Sequence, residues 1–259
     1  MNAVLAVARR ILAPLVIVLA LLGLWELAAR WELLSNALDI EPFLVPAPSE
    51  VAEALWSDRS LLAENAWVTL REILAGLALA VALGAGFALA LHRFEPLRRA
   101  VYPLLVASQT IPVIAIAPIL VVWLGYGIGP KLAIIALVCF FPVTVNMLDG
   151  LRSVNRDQVR MMRTLDASRS QILRRVEVPA ALPFLLSGVK VAAVISVIGA
   201  VFGEWAGADS GLGHLILISQ GQLQTARVFA AVAVLSAIAL ILFASLVVVE
   251  RRYAWWGSR

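Results

Sequence analysis

Hydrophobic positions along the chain fall into six long stretches separated by short polar segments. They cover about residues 11–29, 73–91, 101–125, 132–148, 180–202 and 228–249. A bilayer core about 30 Å thick is crossed by about 20 mostly apolar residues in a helix. Each stretch therefore predicts a transmembrane helix, the fourth at the short limit and the fifth carrying Lys190. The connections are compact. The pattern predicts an all-α polytopic membrane protein with one membrane domain over residues 1–259 and no attached soluble module. The first stretch follows Arg9 and Arg10 like a signal peptide, but its apolar run exceeds a signal core of about 7–15 residues, so it reads as a retained span.

Two connecting segments carry local structure. Pro46, Ala47, Pro48 and Ser49 form a stiff extended stretch, with Ser49 as a helix cap. Glu50 to Trp56 then reads as a short amphipathic helix, whose Trp56, with Trp67 nearby, suits an aqueous interface. Residues 149–183 are too polar to span and too patterned for a linker. Val159, Met162 and Leu165 fall at helical spacing, and Ile172, Leu173 and Val176 do so again after a break at Asp166, Ala167 and Ser168. This predicts a helix–turn–helix over about 150–179, apolar on one side and arginine-rich on the other, ending at Pro179. Such a knob offers a soluble partner a rigid handle. Anionic lipid headgroups are the competing partner for its arginines.

Composition agrees with the spans. Apolar residues make up 62% of the chain and charged residues 15%, against about 45–50% and 25% in soluble domains. A water-facing surface cannot be built from so few charges. The single Cys139 excludes an internal disulfide, and two histidines, His92 and His214, leave no zinc or haem cluster. The basic residues set orientation by the positive-inside rule. With the N-terminus cytoplasmic, 15 of the 21 basic residues lie inside, including seven arginines from Arg152 to Arg175. The longest outer segment, 30–66, carries seven acids and only Arg30 and Arg59 as bases. The expected topology is N-in and C-in.

The order of residues in the arginine-rich loop resembles the cytoplasmic signature of binding-protein-dependent ABC importer permeases. That signature runs Glu-Ala-Ala, three residues, Gly, nine residues, Ile-x-Leu-Pro. Anchored on Pro179, its Ile and Leu positions are Val176 and Val178, its glycine is Asp166, and its Glu-Ala-Ala is Arg160, Met161 and Met162. Asp166 tolerates a left-handed turn better than most non-glycine residues. The string from Met161 to Pro183 is similar to the nitrate, sulfonate, taurine and thiamine-precursor branch. Further pieces follow in order: Pro46 to Val51, Thr69 to Gly76, Gln109 to Pro112, Ala117 to Leu120, Trp123 to Gly125, Phe141 to Asn146, Gly203-Glu204-Trp205 and Gly211-Leu212-Gly213.

The resemblance implies a type I ABC importer permease fold in the bacterial inner membrane. It also implies a second permease copy, with a homodimer expected, two ATPase subunits below, and an extracytoplasmic substrate-binding protein. No nucleic-acid partner is expected. Gly125 to Lys131 lacks the Gly-Lys-Ser/Thr ending of a phosphate-binding loop, so no cofactor is expected in this chain; ATP and Mg belong to the partner ATPase. The chain itself is expected to catalyse no reaction. Coupling is expected at Arg163, Leu165, Asp166, Ala167, Ser168, Arg169 and Gln171.

Pathway candidates are Gln109 and Thr110 beside Pro112, Asn146 with Phe140 and Phe141, and Glu204 at the outer end of the fifth span. Intramembrane polar and ionisable residues default to functional hypotheses; helix–helix contact is the alternative, and for Glu204 an interfacial carboxylate facing water. Lys190 is expected to snorkel, Arg71 and Glu72 to pair with charges near the outer surface, Glu26 to bond a neighbouring helix, and Gly84-Ala85-Gly86 to permit close packing. The fifth span resembles permeases for thiamine-precursor pyrimidines or riboflavin, with sulfonate, taurine and nitrate permeases as the alternative. An intramembrane protease lacks its Ser/His or paired-Asp set. An ion-coupled carrier working alone lacks mid-membrane carboxylates.

Overall fold

In a computed structural model, residues 2–33, 37, 39 and 41–254 are described, without the side chains of residues 2–11 and 13–15. Every regular element among them is helical. In chain order these are α1 (Asn2–Arg30), a 3-10 turn (Pro42–Leu44), α2 (Pro48–Ser57), α3 (Arg59–Arg93), α4 (Glu95–Ser108), α5 (Val113–Leu124) and α6 (Ile128–Arg152). Then follow α7 (Arg156–Thr164), α8 (Arg169–Ile172), a π segment (Leu173–Glu177), α9 (Val178–Gly207), α10 (Leu212–Gly221) and α11 (Thr225–Tyr253).

Four helices among the described residues are long and apolar enough to cross a membrane: α3, the continuous helix Arg169–Gly207, α6 and α11. They contain the second, fifth, fourth and sixth predicted stretches. The first stretch lies in α1. The third departs from the prediction of one span. It is α4 and α5, bent by 102° at residues 109–112. Pro112, which has no amide hydrogen to continue the ladder, stands at the cap of α5 with extended backbone.

Pro179 also departs from its predicted role. It does not end the arginine-rich segment, because the helix from Arg169 runs on to Gly207. The π segment absorbs the register: the Val178 amide donates to the Leu173 carbonyl, so the proline sits at a transition where one missing donor is tolerated.

The chain divides into two units. The first comprises Met1–Glu64 and Leu215–Val234. Within it the helix after Pro46 begins two residues earlier than the sequence suggested. Ala47 is the cap, Pro48 takes the first helical position, and the Glu50 carboxylate accepts from the Ala47 amide at 3.0 Å. Ser49 binds Glu26 instead: its amide and hydroxyl donate to that carboxylate at 3.0 and 2.8 Å. Glu26 thus joins α1 to α2, as expected of it. Arg227 clasps Asp58 at 2.6 and 3.1 Å.

The second unit comprises Asn65–His214 and Leu235–Arg259. Its most extensive packing is between α6 and α9. Small residues let the backbones approach, the usual means of helix association in membranes. A Cβ at Gly188 would lie 2.6 Å from the Pro142 carbonyl, and one at Gly84 would lie 2.9 Å from Val143. Gly86 faces open space, so only the first glycine of the expected Gly-Ala-Gly contact packs. A core of Leu91, Leu105, Met147, Leu148, Leu151 and Ala181 gathers at the arginine-rich end. Lys190 does not snorkel. It donates to Glu250 of α11 at 2.5 Å, because a carboxylate is within its reach and pairing satisfies both charges.

Candidate functional site

The arginine-rich segment folds as a helical knob, and its own sequence dictates each corner. Asn155 caps α7 by accepting from the Asp157 amide at 2.8 Å. After Thr164 the chain turns through Asp166 in the left-handed region at φ 53°. The Asp166 amide donates to the Arg163 carbonyl at 3.1 Å and the Ala167 amide to the Met162 carbonyl at 3.0 Å. Those are the two bonds of a Schellman ending, whose left-handed position usually holds glycine. Ser168 then opens α8. Its hydroxyl accepts from the Gln171 amide at 3.3 Å, while the Gln171 side-chain oxygen accepts from the Ser168 amide at 2.7 Å. The pair is a capping box.

The expected coupling residues therefore divide. Asp166, Ser168 and Gln171 shape the turn. The Arg169 guanidinium donates to the Arg93 carbonyl at 3.2 Å, fastening the knob to the end of α3 beside the His92–Glu177 contact at 3.0 Å. Ala167 is half-buried in the turn, and Arg163 is exposed without an ion pair among the described residues. Leu165 does not join the packed stripe predicted with Val159 and Met162. It is 67% exposed, like its neighbour Met161 at 65%. Its side chain has left the stripe because the helix ends there and the turn carries it outward.

The opposite end of α6 and α9 holds the candidate acid. Glu204 does not face water; it is 1% exposed. The Thr69 hydroxyl donates to its Oε1 at 2.6 Å, and the amides of Gly213 and His214 donate to its Oε2 at 2.5 and 3.2 Å. Thr69 also accepts from the Leu212 amide at 2.8 Å, and Asn65 accepts from the Gly211 amide at 2.8 Å. The Trp205 indole donates to the Gly213 carbonyl at 2.9 Å. Two sequence motifs eight residues apart, Gly203-Glu204-Trp205 and Gly211-Leu212-Gly213, thus form one knot. A Cβ on Gly211 would lie 2.3 Å from the Glu204 carboxyl carbon, and its φ is 118°, so both space and backbone require glycine. Glu72 pairs with Lys131 at 2.6 Å, also buried, and Arg71 stacks on Trp67 at 4.6 Å. Sequence reasoning missed Asn65, Thr69 and the Lys131 partner. The signal available was co-occurrence: Thr69 opens one family-like motif, Glu204 sits in a second, and Gly211 begins a third.

The remaining pathway candidates do not assemble into one site. The Asn146 amide nitrogen donates to the Pro142 carbonyl at 2.8 Å, and its Cβ lies under Gly188. Phe140 packs on Phe87 with ring centroids 5.5 Å apart. The Thr110 hydroxyl donates to Ala107 in the bend. Gln109 lines a cavity. That cavity, about 330 Å³, opens at the α4–α5 bend and is walled by Val113 and Ile116 of α5, Leu137 and Val138 of α6, and Ile195, Ile198 and Phe202 of α9.

The family described as "Binding-protein-dependent transport system inner membrane component" matches residues 80–255. The chain is 40% identical to the formylaminopyrimidine transport permease protein ThiX of Halalkalibacterium halodurans, over 96% of this chain and 97% of that one. It is 39% identical to the riboflavin transport system permease protein RibX of Chloroflexus aurantiacus, over 83% and 81%. Its fold is similar to a chain of the inward-facing MetNI methionine ABC transporter, with a TM-score of 0.66 and 18% identity over 75% of this chain and 97% of that one.

Proposed function

Because the chain belongs to the inner membrane components of binding-protein-dependent transport systems, as the permease subunit of an ABC importer, we propose that its cargo is a small heteroaromatic solute, a thiamine-precursor pyrimidine or a riboflavin-like compound. The observation that carries this reading is the pair of relatives transporting formylaminopyrimidine and riboflavin, each about two-fifths identical over most of the chain.

The protein works as one transmembrane domain of six spans, in a homodimer, in the bacterial inner membrane with both termini cytoplasmic. An extracytoplasmic binding protein delivers the solute. Separate ATPase subunits bind ATP and Mg and hydrolyse the nucleotide. They dock on the knob, where Leu165, Ala167 and Arg163 form the contact surface and Asp166, Ser168, Arg169 and Gln171 hold its shape. Two conformations of the dimer are then biased from opposite faces, by ATPase closure on one side and the loaded binding protein on the other. Gln109 and Thr110 at the helix break belong to the translocation pathway. Phe140, Asn146 and Glu204 act on it through helix packing.

Reconstitution with the ATPase and binding protein tests the cargo. Labelled aminopyrimidine or riboflavin enters ATP-loaded proteoliposomes in the expected case; uptake of taurine or another alkyl sulfonate instead overturns it. Orientation has its own check. A cysteine replacing Ser57 reacts with an impermeant thiol reagent from outside, and one replacing Ser168 does not; the reverse labelling contradicts the N-in arrangement.

A further inference from the structure

The bend between α4 and α5 breaks a segment long and apolar enough to cross a membrane near its centre, beside Leu137 and Val138 of α6 and the second half of α9. Irregular backbone at membrane depth is tolerated where it is buried in protein or lines a cavity. Here it lines a cavity of about 330 Å³, within the size range of small-molecule sites. Its walls are apolar on three sides, with Ile116, Val138, Ile195 and Ile198 around the aromatic ring of Phe202.

Only two polar side chains reach it. The Ser108 hydroxyl is committed to the Leu105 carbonyl at 2.7 Å. The Gln109 carboxamide is nearly free: its nitrogen makes one long contact to Ser108 at 3.4 Å, and its oxygen accepts no hydrogen bond among the described residues. A carboxamide presents a donor and an acceptor side by side. That edge matches the adjacent amino group and ring nitrogen of an aminopyrimidine, as glutamine matches adenine in nucleic acids. No cation lines the cavity, so a sulfonate or nitrate finds no counter-charge there.

We propose that this cavity is a transit site for the ring of an amino-substituted heteroaromatic cargo, with Gln109 reading the ring's edge and the apolar wall holding its faces. The inference rests on the heteroaromatic reading of the cargo and adds a residue that sets specificity.

The test uses the permease reconstituted with its ATPase and binding protein, and the probes are a labelled aminopyrimidine and the same ring with methyl in place of amino. In Gln109→Leu, one hydrogen-bonded edge is lost. The expected result is about a tenfold fall in aminopyrimidine uptake and loss of the preference for the amino ring. Membrane abundance and ATPase copurification stay unchanged. Ile198→Trp fills the cavity and blocks both rings at least as strongly. If both variants transport like the wild type, the cavity is off the route and the proposal falls while the cargo reading stands. If the wild type takes up alkyl sulfonate and neither ring, the cargo reading falls and takes the ring site with it.

Discussion

At one end of the α6–α9 pair, Glu204 is enclosed and accepts hydrogen bonds from Thr69, Gly213 and His214. At the other, Arg163, Leu165 and Met161 face outward on a knob whose shape is set by its own caps. Both regions carry charged residues that a sequence reading marks as functional. Buried polar groups with every partner supplied by the protein are structural commitments. Exposed apolar and cationic groups on a self-supporting turn are available to something else. The contrast teaches that the position of a charge within a span says less about its role than the number of its partners.

The largest expected effect breaks the enclosed end. Glu204→Leu strips the acceptor from two backbone amides and Thr69. Each buried group left unsatisfied costs about 1–3 kcal/mol, comparable with the whole margin of a folded protein. Membrane abundance is expected to collapse, as read by fluorescence-detected size exclusion of a tagged protein. A variant that is abundant and monodisperse but fails to transport makes Glu204 a pathway carboxylate after all.

Gly211→Ala probes the same knot more gently. The new Cβ collides with Glu204, and the backbone is held at φ 118°. Strain of this kind costs on the order of 1–3 kcal/mol, so the melting temperature falls while some assembled permease remains. An unchanged melting temperature means that the loop does not sit on the carboxylate.

The smallest effect has the opposite sign and belongs to the knob. Asp166→Gly removes the cost of a side chain in the left-handed region, about 1 kcal/mol or less for aspartate. Hydrogen exchange of the Ala167 amide, which closes the turn on Met162, is expected to slow several-fold. Faster exchange contradicts the Schellman geometry.

The stretches in α3, α6, α9 and α11 and the helix–turn–helix were legible because hydrophobic runs and turn chemistry are local signals. Asp166 is legible as the turn residue, since few other residues take that conformation. The bend at residues 109–112 was marked only by Pro112, and a proline in a span does not say whether the helix kinks or reverses. The enclosure of Glu204 was not legible because its partners lie 135 residues away at Thr69 and in backbone amides, which no side-chain pattern reveals. Lys190 was misread in the same way, its partner being Glu250. For Asn146 and Phe140, residue type alone did not show that one lies against Gly188 and the other packs on Phe87.

The proposed contact for the ATPase is the knob. Leu165→Glu tests this most directly, because the side chain is 67% exposed and contributes little to the fold of the chain itself. At equal membrane abundance, copurification of the ATPase subunit with this variant is expected to fall roughly thirtyfold, the equivalent of losing about 2 kcal/mol at an interface hot spot. Full retention of the ATPase contradicts the assignment and leaves the arginine-rich knob to the lipid surface.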